Sequence, residues 1–226
     1  MERLKDYWWK IAAVLLIIYG IIGGYTVSLP NIPGEDTSHL RNIFYHVGMW
    51  FAMLAALIFS FIYSVKHLRT FAIKYDIAAL KAVQTAMLFG VLGLVTGMIW
   101  AKYAWGDFWI NDPKLNGTAI SLVVYFAYLV LRTSINDINK KARIAAVYNI
   151  FAFMIYLLFV LILPRIADQS IHPGNRDGNP VLPMDLDPAM RWVFYPAMAG
   201  WILLGVWIMQ IKIKIGSVNY KLLNKS

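Results

Sequence analysis

Residues 11–29 read IAAVLLIIYGIIGGYTVSL, a stretch of 19 residues with no acidic, basic or histidine side chain. A helix needs about 20 apolar residues to cross a hydrocarbon layer of ~30 Å. Of all 226 residues, 60% are hydrophobic and 15% charged, whereas soluble domains are about one half apolar and one quarter charged. The stretch therefore predicts a membrane helix, and the composition argues against a soluble enzyme and against a disordered chain.

Apolar blocks of similar length recur along the whole chain. The predicted spans cover residues 9–29, 44–65, 77–101, 115–131, 144–163 and 192–211. Little sequence remains between them, so no soluble domain is expected. The prediction is an all-α integral membrane protein: a single membrane domain over residues 1–226, built as a six-transmembrane-helix bundle.

Lysine and arginine predict the orientation of this bundle. The two termini and the loops after the second and fourth spans carry 15 of the 21 basic residues. By the positive-inside rule both termini are then cytoplasmic. A basic cytoplasmic rim suits anionic membrane lipid and accounts for the net charge of +9 without nucleic acid. Because the chain has no cysteine, disulfides and thiolate metal ligands are excluded.

The outer segments contain most of the unusual chemistry. A tryptophan-rich outer loop is predicted at about residues 100–116, and a long outer loop at about 164–191. The first contains Trp100, Trp105 and Trp109 close to Tyr103 and Phe108. Such rings form either an interfacial aromatic belt or a surface on which a flat ligand stacks. Both interpretations stay open on the aromatic content alone.

Two histidines are predicted on the same outer face. His46 lies about one turn inside the second span, and His172 lies in the long outer loop. Each alone is compatible with an interfacial or solvated imidazole. Together with an aromatic surface they meet the requirements of a haem with two axial imidazoles. His39 is a rival ligand, whereas His67 is predicted on the cytoplasmic side and cannot join the site.

Cations on the outer face are candidate partners of the two haem propionates. These are Arg41, Lys102 and Arg176. Two other functions are less favoured. A small-molecule transporter would place charges near the bilayer midplane, and the spans have almost none. A b-type electron-transfer protein would need histidine pairs deep in its helices.

Residues 105–112, WGDFWIND, carry a family resemblance. The segment resembles the tryptophan-rich motif W-G-x-x-W-x-W-D of the CcmC-type haem-handling proteins, whose relatives are the CcsA and CcmF types. Trp105, Gly106, Trp109 and Asp112 match this motif, while Asn111 stands in place of its third tryptophan. The following Pro113-Lys114 looks more like the CcsA type.

The resemblance implies a function in cytochrome c-type biogenesis. Haem b would be bound non-covalently and transiently by His46 and His172, over a surface that includes Trp105, Gly106, Trp109 and Asp112. The protein would perform haem transport with no bond-making step of its own, and it is therefore not expected to be an enzyme.

The same resemblance implies partners and a location. The haem would be passed to a periplasmic haem chaperone of the CcmE type. Further implied partners are a small one-span subunit and ATP-binding cassette transporter subunits. The location would be the bacterial cytoplasmic (inner) membrane, with the functional face periplasmic. The alternative is a CcsA-type haem-handling subunit of a cytochrome c synthase.

Overall fold

The described part of the chain contains six long helices, as the six apolar blocks predict. The computed structural model describes residues 7–30, 37–167, 170–172 and 186–223. Each helix is apolar and at least 19 residues long, which corresponds to about 28 Å at 1.5 Å per residue. The chain is therefore a multi-pass membrane protein. The helices are α1 (Trp8–Thr26), α2 (Ile43–Thr70), α3 (Ile73–Trp105), α4 (Pro113–Thr133), α5 (Ile138–Ile166) and α6 (Pro188–Leu223).

The helices extend beyond the predicted spans. The last span was predicted at 192–211, whereas α6 has 36 residues, or about 54 Å. Such a helix exceeds the hydrocarbon layer, so its polar ends continue into the interfacial regions. The tryptophan-rich segment is also largely helical: α3 continues to Trp105, and α4 begins at Pro113. Only seven residues, 106–112, separate these helices.

Local sequence explains where α3 and α4 end and begin. Gly106 ends α3 with φ 88°, a left-handed conformation that glycine adopts without steric cost. Asp112 caps α4 by accepting hydrogen bonds from the backbone N–H groups of Lys114 and Leu115. Pro113 then occupies the first helical turn, where its missing N–H is not needed. The connection is thereby fixed at both ends.

Helix α2 lies at the centre of the bundle and packs against α3, α5 and α6, while α1 packs mainly against α6. The main core is formed by side chains of α2–α5, including Met53, Leu57, Val83 and Tyr125. The rings of Trp9 and Trp207 are 6.5 Å apart, so the start of α1 and the later part of α6 meet at one end of the bundle.

Helix α5 changes its winding next to α4. It is π-helical over Leu157–Ile162 and regains α-helical winding at Leu163–Ile166. Pro164 lacks the N–H that a regular ladder would use, which favours such an interruption. Phe159 turns its carbonyl group toward Gly117 of α4, where a side chain would leave no room for that contact. The wider turn brings α5 directly against α4.

Candidate functional site

A cavity opens at the end of the bundle where α2, α4 and α6 begin and α3 and α5 finish. It is partly open and has a volume of about 160 Å³. Its described lining combines imidazoles, indoles, cations and apolar side chains. The polar and aromatic members that matter here are His46, Trp50, Trp100, Trp105, Trp109, Lys114, Tyr156, Arg165 and His172.

The imidazole of His46 is held by two neighbours. Its Nδ1 lies 3.1 Å from the hydroxyl oxygen of Thr96 on α3. Trp50, one turn further along α2, donates its indole N–H to Nε2 of His46 at 3.2 Å. The ring also lies against the backbone of α3 at Gly97, where an added Cβ would be 2.7 Å from His46 Cε1. The orientation of this imidazole is thus fixed by three contacts.

His172 reaches the same cavity from the segment between α5 and α6. Its ring centroid is 6.2 Å from that of Trp100 and 6.1 Å from that of Trp105. The indoles of Trp100 and Trp105 meet edge to face, with their ring centroids 4.8 Å apart. The ring centroid of His39 is 6.1 Å from that of Trp100, so the rival ligand contacts the same indole as His172. The opposite end of α2 holds His67, which is buried and contacts the Ala72 carbonyl.

Asp112 connects the segment that carries His172 to α4, the helix that follows the tryptophan motif. One carboxylate oxygen caps α4, at 2.8 Å from the Lys114 N–H. The other accepts hydrogen bonds from the Ser170 hydroxyl and the Ile171 N–H, both at 3.0 Å. Asp112 is buried, with 1% of its surface exposed, and it does not line the cavity. Its described contacts thus hold the segment that leads to His172.

The cations in the described lining differ from two of the three that were predicted as propionate partners. Lys114 and Arg165 contribute to the lining, and Arg165 also donates to the Leu161 carbonyl. Arg41 instead donates to the Gly24 carbonyl at 2.6 Å and to the Val27 carbonyl at 3.2 Å. Lys102 donates to the Gly106 carbonyl at 2.5 Å and is exposed. Neither belongs to the described lining, and Arg176 lies outside the described residues.

The remaining motif residues occupy the rim. Trp109 lines the cavity, is 38% exposed, and donates its indole N–H to the Asn116 side chain at 3.2 Å. Asn111 accepts a hydrogen bond from Asn116 at 2.7 Å and is exposed. Gly106 shapes the turn without lining the cavity. The position where the motif has its third tryptophan thus does not line the cavity and is linked to Trp109 through Asn116.

The chemistry of the cavity suits a flat ligand with a metal centre and acidic substituents. Imidazoles supply nitrogen ligands, indoles supply stacking faces and the two cations complement carboxylates. Its volume is below the ~300–1,000 Å³ of typical small-molecule sites. A tetrapyrrole would therefore extend through the open side or displace lining side chains.

Sequence reasoning missed five residues of this site, among them Tyr156, which lies inside α5. Arg165 contributed only to the count of charges, and Lys114 only to that count and to the CcsA-type resemblance, although both lie within a turn of a helix end, as His46 does. Trp50 could have been found, because residues four apart share a helix face. Thr96 could not, since its approach to His46 depends on how α2 and α3 pack.

Comparisons with known proteins identify the family of this chain. Residues 5–170 match the profile of the cytochrome C assembly protein family. The chain is 24% identical to heme exporter protein C of Escherichia coli (strain K12) over 206 residues, which cover 87% of this chain and 77% of that protein.

Two further relatives match shorter regions. Heme exporter protein C of Bradyrhizobium diazoefficiens is 27% identical over 63% of this chain and 53% of its own length. Cytochrome c biogenesis protein CcsA of Pelargonium hortorum is 31% identical over 38% of this chain and 28% of its own length. Since the family profile covers well over half of the sequence, the chain belongs to the cytochrome C assembly protein family.

Proposed function

We propose that the protein binds haem b non-covalently at this cavity and hands it on for cytochrome c maturation. The observation that carries the proposal is that His46 and His172, from distant parts of the chain, line one cavity together with four tryptophans. The family membership and the similarity to proteins named heme exporter protein C support the choice of haem.

Each part of the cavity has a role in this proposal. His46 and His172 supply axial nitrogen atoms to the iron. Trp100, Trp105 and Trp109 offer indole faces and edges that shield the macrocycle from water. Lys114 and Arg165 pair with the propionates, taking the role that the sequence suggested for Arg41, Lys102 and Arg176.

The handover needs a site that releases its cargo. One ligand lies on a helix and the other on a segment tied to the bundle through Asp112, and the partly open cavity leaves an edge of the ring accessible. The acceptor is a periplasmic haem chaperone of the CcmE type. A small one-span subunit and ATP-binding cassette transporter subunits complete the assembly. The protein makes no covalent bond itself.

The proposed location is the bacterial inner membrane. The positive-inside distribution supports a cytoplasmic location of both termini and a periplasmic location of the cavity. This orientation agrees with an acceptor that works outside the cytoplasm.

The test is haem binding by the detergent-purified protein. Pyridine haemochrome analysis and the Soret band should show haem in the wild type. His46→Ala and His172→Ala should each lose or shift the band, and added imidazole should restore it where a cavity replaces the ligand. His67→Gln, at the other end of α2, is the control and should retain haem.

Handover is measured separately with a purified haem chaperone. Wild-type protein should load the chaperone, whereas the two histidine variants should not. Unchanged haem content and spectra in both histidine variants would exclude the axial pair. If His67→Gln loses as much haem as His46→Ala does, the assignment of the haem site to this cavity is excluded.

A CcsA-type function is the second candidate, because a relative of that name shares 31% identity over 88 residues. Pro113-Lys114 is the local feature that favours it. A cytochrome c synthase subunit would deliver haem to apocytochrome c without a chaperone. Transfer assays with apocytochrome c alone and with the chaperone distinguish the two functions.

A further inference from the structure

The hydrogen bonds around His46 determine which ring nitrogen can bind a metal. The Thr96 hydroxyl lies 2.9 Å from the Leu92 carbonyl and 3.0 Å from the Gly93 carbonyl, so its single proton is directed to the backbone. Its oxygen therefore accepts from His46, whose Nδ1 carries the proton. In this network Nε2 is left with a lone pair, which is the form of imidazole that ligates metals.

That lone pair already accepts a hydrogen bond. Trp50 Nε1 lies 3.2 Å from His46 Nε2, and an indole nitrogen can only donate. One lone pair cannot bond both the indole proton and an iron atom. Coordination through Nε2 thus requires the Trp50 N–H to leave.

The position of Trp50 also restricts the cavity. Its indole lines the cavity and lies against α3 at Gly93, where an added Cβ would be 2.9 Å from Trp50 Cε2. Its ring meets that of His46 edge-on, with centroids 6.1 Å apart. A movement that frees Nε2 therefore also enlarges a cavity that is too small to enclose a tetrapyrrole.

We propose that Trp50 is a reversible cap on the ligand nitrogen of His46, which is displaced when haem binds and returns when haem leaves. This inference rests on the proposed function and concerns how the site is kept releasable. Thr96 holds the ring in the ligating form, while Trp50 competes with the iron. The two neighbours of one imidazole thus have opposite effects on haem retention.

The test compares haem dissociation from Trp50→Phe and Thr96→Val, measured by transfer to excess apomyoglobin. Phenylalanine keeps a ring but removes the N–H, so haem loss should slow by about threefold to tenfold, the range expected for one neutral hydrogen bond. Valine removes the acceptor that orients His46, so haem loss should accelerate by about tenfold or more. Changes of opposite sign are not expected from a general loss of packing.

A matched control is Trp201→Phe. Trp201 also donates its indole N–H, but to the Phe44 carbonyl and outside the cavity, so its removal should leave the dissociation rate unchanged. In ultraviolet resonance Raman spectra, the difference between wild type and Trp50→Phe isolates one indole. It should report a hydrogen-bonded N–H without haem and a weaker hydrogen bond with haem.

The outcomes separate the cap from the proposed function. An unchanged or faster haem loss in Trp50→Phe, in a protein whose spectrum still depends on His46, overturns the cap alone. A Trp50 N–H signal that haem does not alter overturns it as well. If no variant or wild type shows a Soret band, the proposed function fails and the cap fails with it.

Discussion

The two ends of the bundle hold charged side chains in different environments. At the end distant from the cavity, Arg132 of α4 binds Asp76 of α3 through two hydrogen bonds of 2.6 and 2.7 Å, and both side chains are buried. At the cavity end, Lys114 and Arg165 form no ion pair with a carboxylate among the described residues. The cation at the distant end is buried, whereas at the cavity end Lys114 is half-buried and Arg165 is exposed. Among the described residues, only the buried cation is neutralised by a carboxylate.

The difference distinguishes structural from functional charges. A charge removed from water is costly unless it is paired, so the Arg132–Asp76 pair has a local explanation. Cations that face a cavity without an acidic partner are accessible to an anionic ligand instead. The burial of a charge alone therefore does not mark a functional site in this membrane protein; its surroundings do.

The largest effect is expected from breaking the buried pair. Arg132→Met leaves Asp76 buried without its partner and should lower the free energy of unfolding by about 3–5 kcal/mol. Unfolding in detergent, followed by circular dichroism, measures the change. The double variant Asp76→Leu with Arg132→Met should recover most of the loss, since an apolar pair of similar size needs no counter-charge.

The matched control is Arg165→Met at the cavity end. Because Arg165 has no carboxylate partner among the described residues, its removal should change the free energy of unfolding by no more than about 0.5 kcal/mol. Equal destabilisation by the two single variants would abolish the distinction between the ends.

The second largest effect is expected at Asp112, which caps α4 and also holds the segment that carries His172. Asp112→Asn can still cap α4 with its carbonyl oxygen, but the amide group cannot accept from Ser170 and Ile171. We expect a small change in stability and a loss of haem affinity of about 10- to 100-fold, as for residues that orient a metal ligand. The Soret band should change as in His172→Ala.

Asp107→Asn provides the control, because Asp107 lies in the same connection but is exposed. It should leave the spectrum unchanged. If Asp112→Asn loses haem while the contribution of His172 to the spectrum stays intact, Asp112 acts on the ligand directly and not through the segment that carries His172.

The third effect tests the cavity cations. Lys114→Met and Arg165→Met should each weaken haem binding by about tenfold, near the lower end of the range for charge-assisted hydrogen bonds. Haem dimethyl ester lacks the anionic propionates, so the variants and the wild type should bind it equally. Equilibrium titration with both ligands measures the difference.

Lys102→Met is the matched control for Lys114→Met, since Lys102 is exposed and does not line the cavity. It should bind haem as the wild type does. A selective loss of haem over its ester in Lys102→Met would support the partner suggested by the sequence, and it would show that the lining cations are not the carboxylate partners.

The sequence predicted the fold because its signals are long and local. Six apolar blocks and the excess of basic residues on one side gave the helices and brought His46 and His172 to a common face. The roles of individual residues depend on packing. Asp112 matched a binding motif, yet its side chain caps α4 and holds Ser170. No spacing in the sequence brings residue 170 to residue 112.

The smallest effect is expected at Asn111, the departure from the tryptophan motif. Its side chain is exposed and bonded to Asn116, which also accepts the Trp109 N–H. Asn111→Trp would therefore add a ring outside the cavity and remove one support of Asn116, so haem retention should change by no more than about twofold, the lower end of the range for one neutral hydrogen bond. Asn116→Leu removes the acceptor of Trp109 itself and should have the larger effect. Haem dissociation rates measure both. A gain of tenfold or more in Asn111→Trp would mean that position 111 turns toward the ligand when haem is bound, and the cavity end would then include the full tryptophan motif.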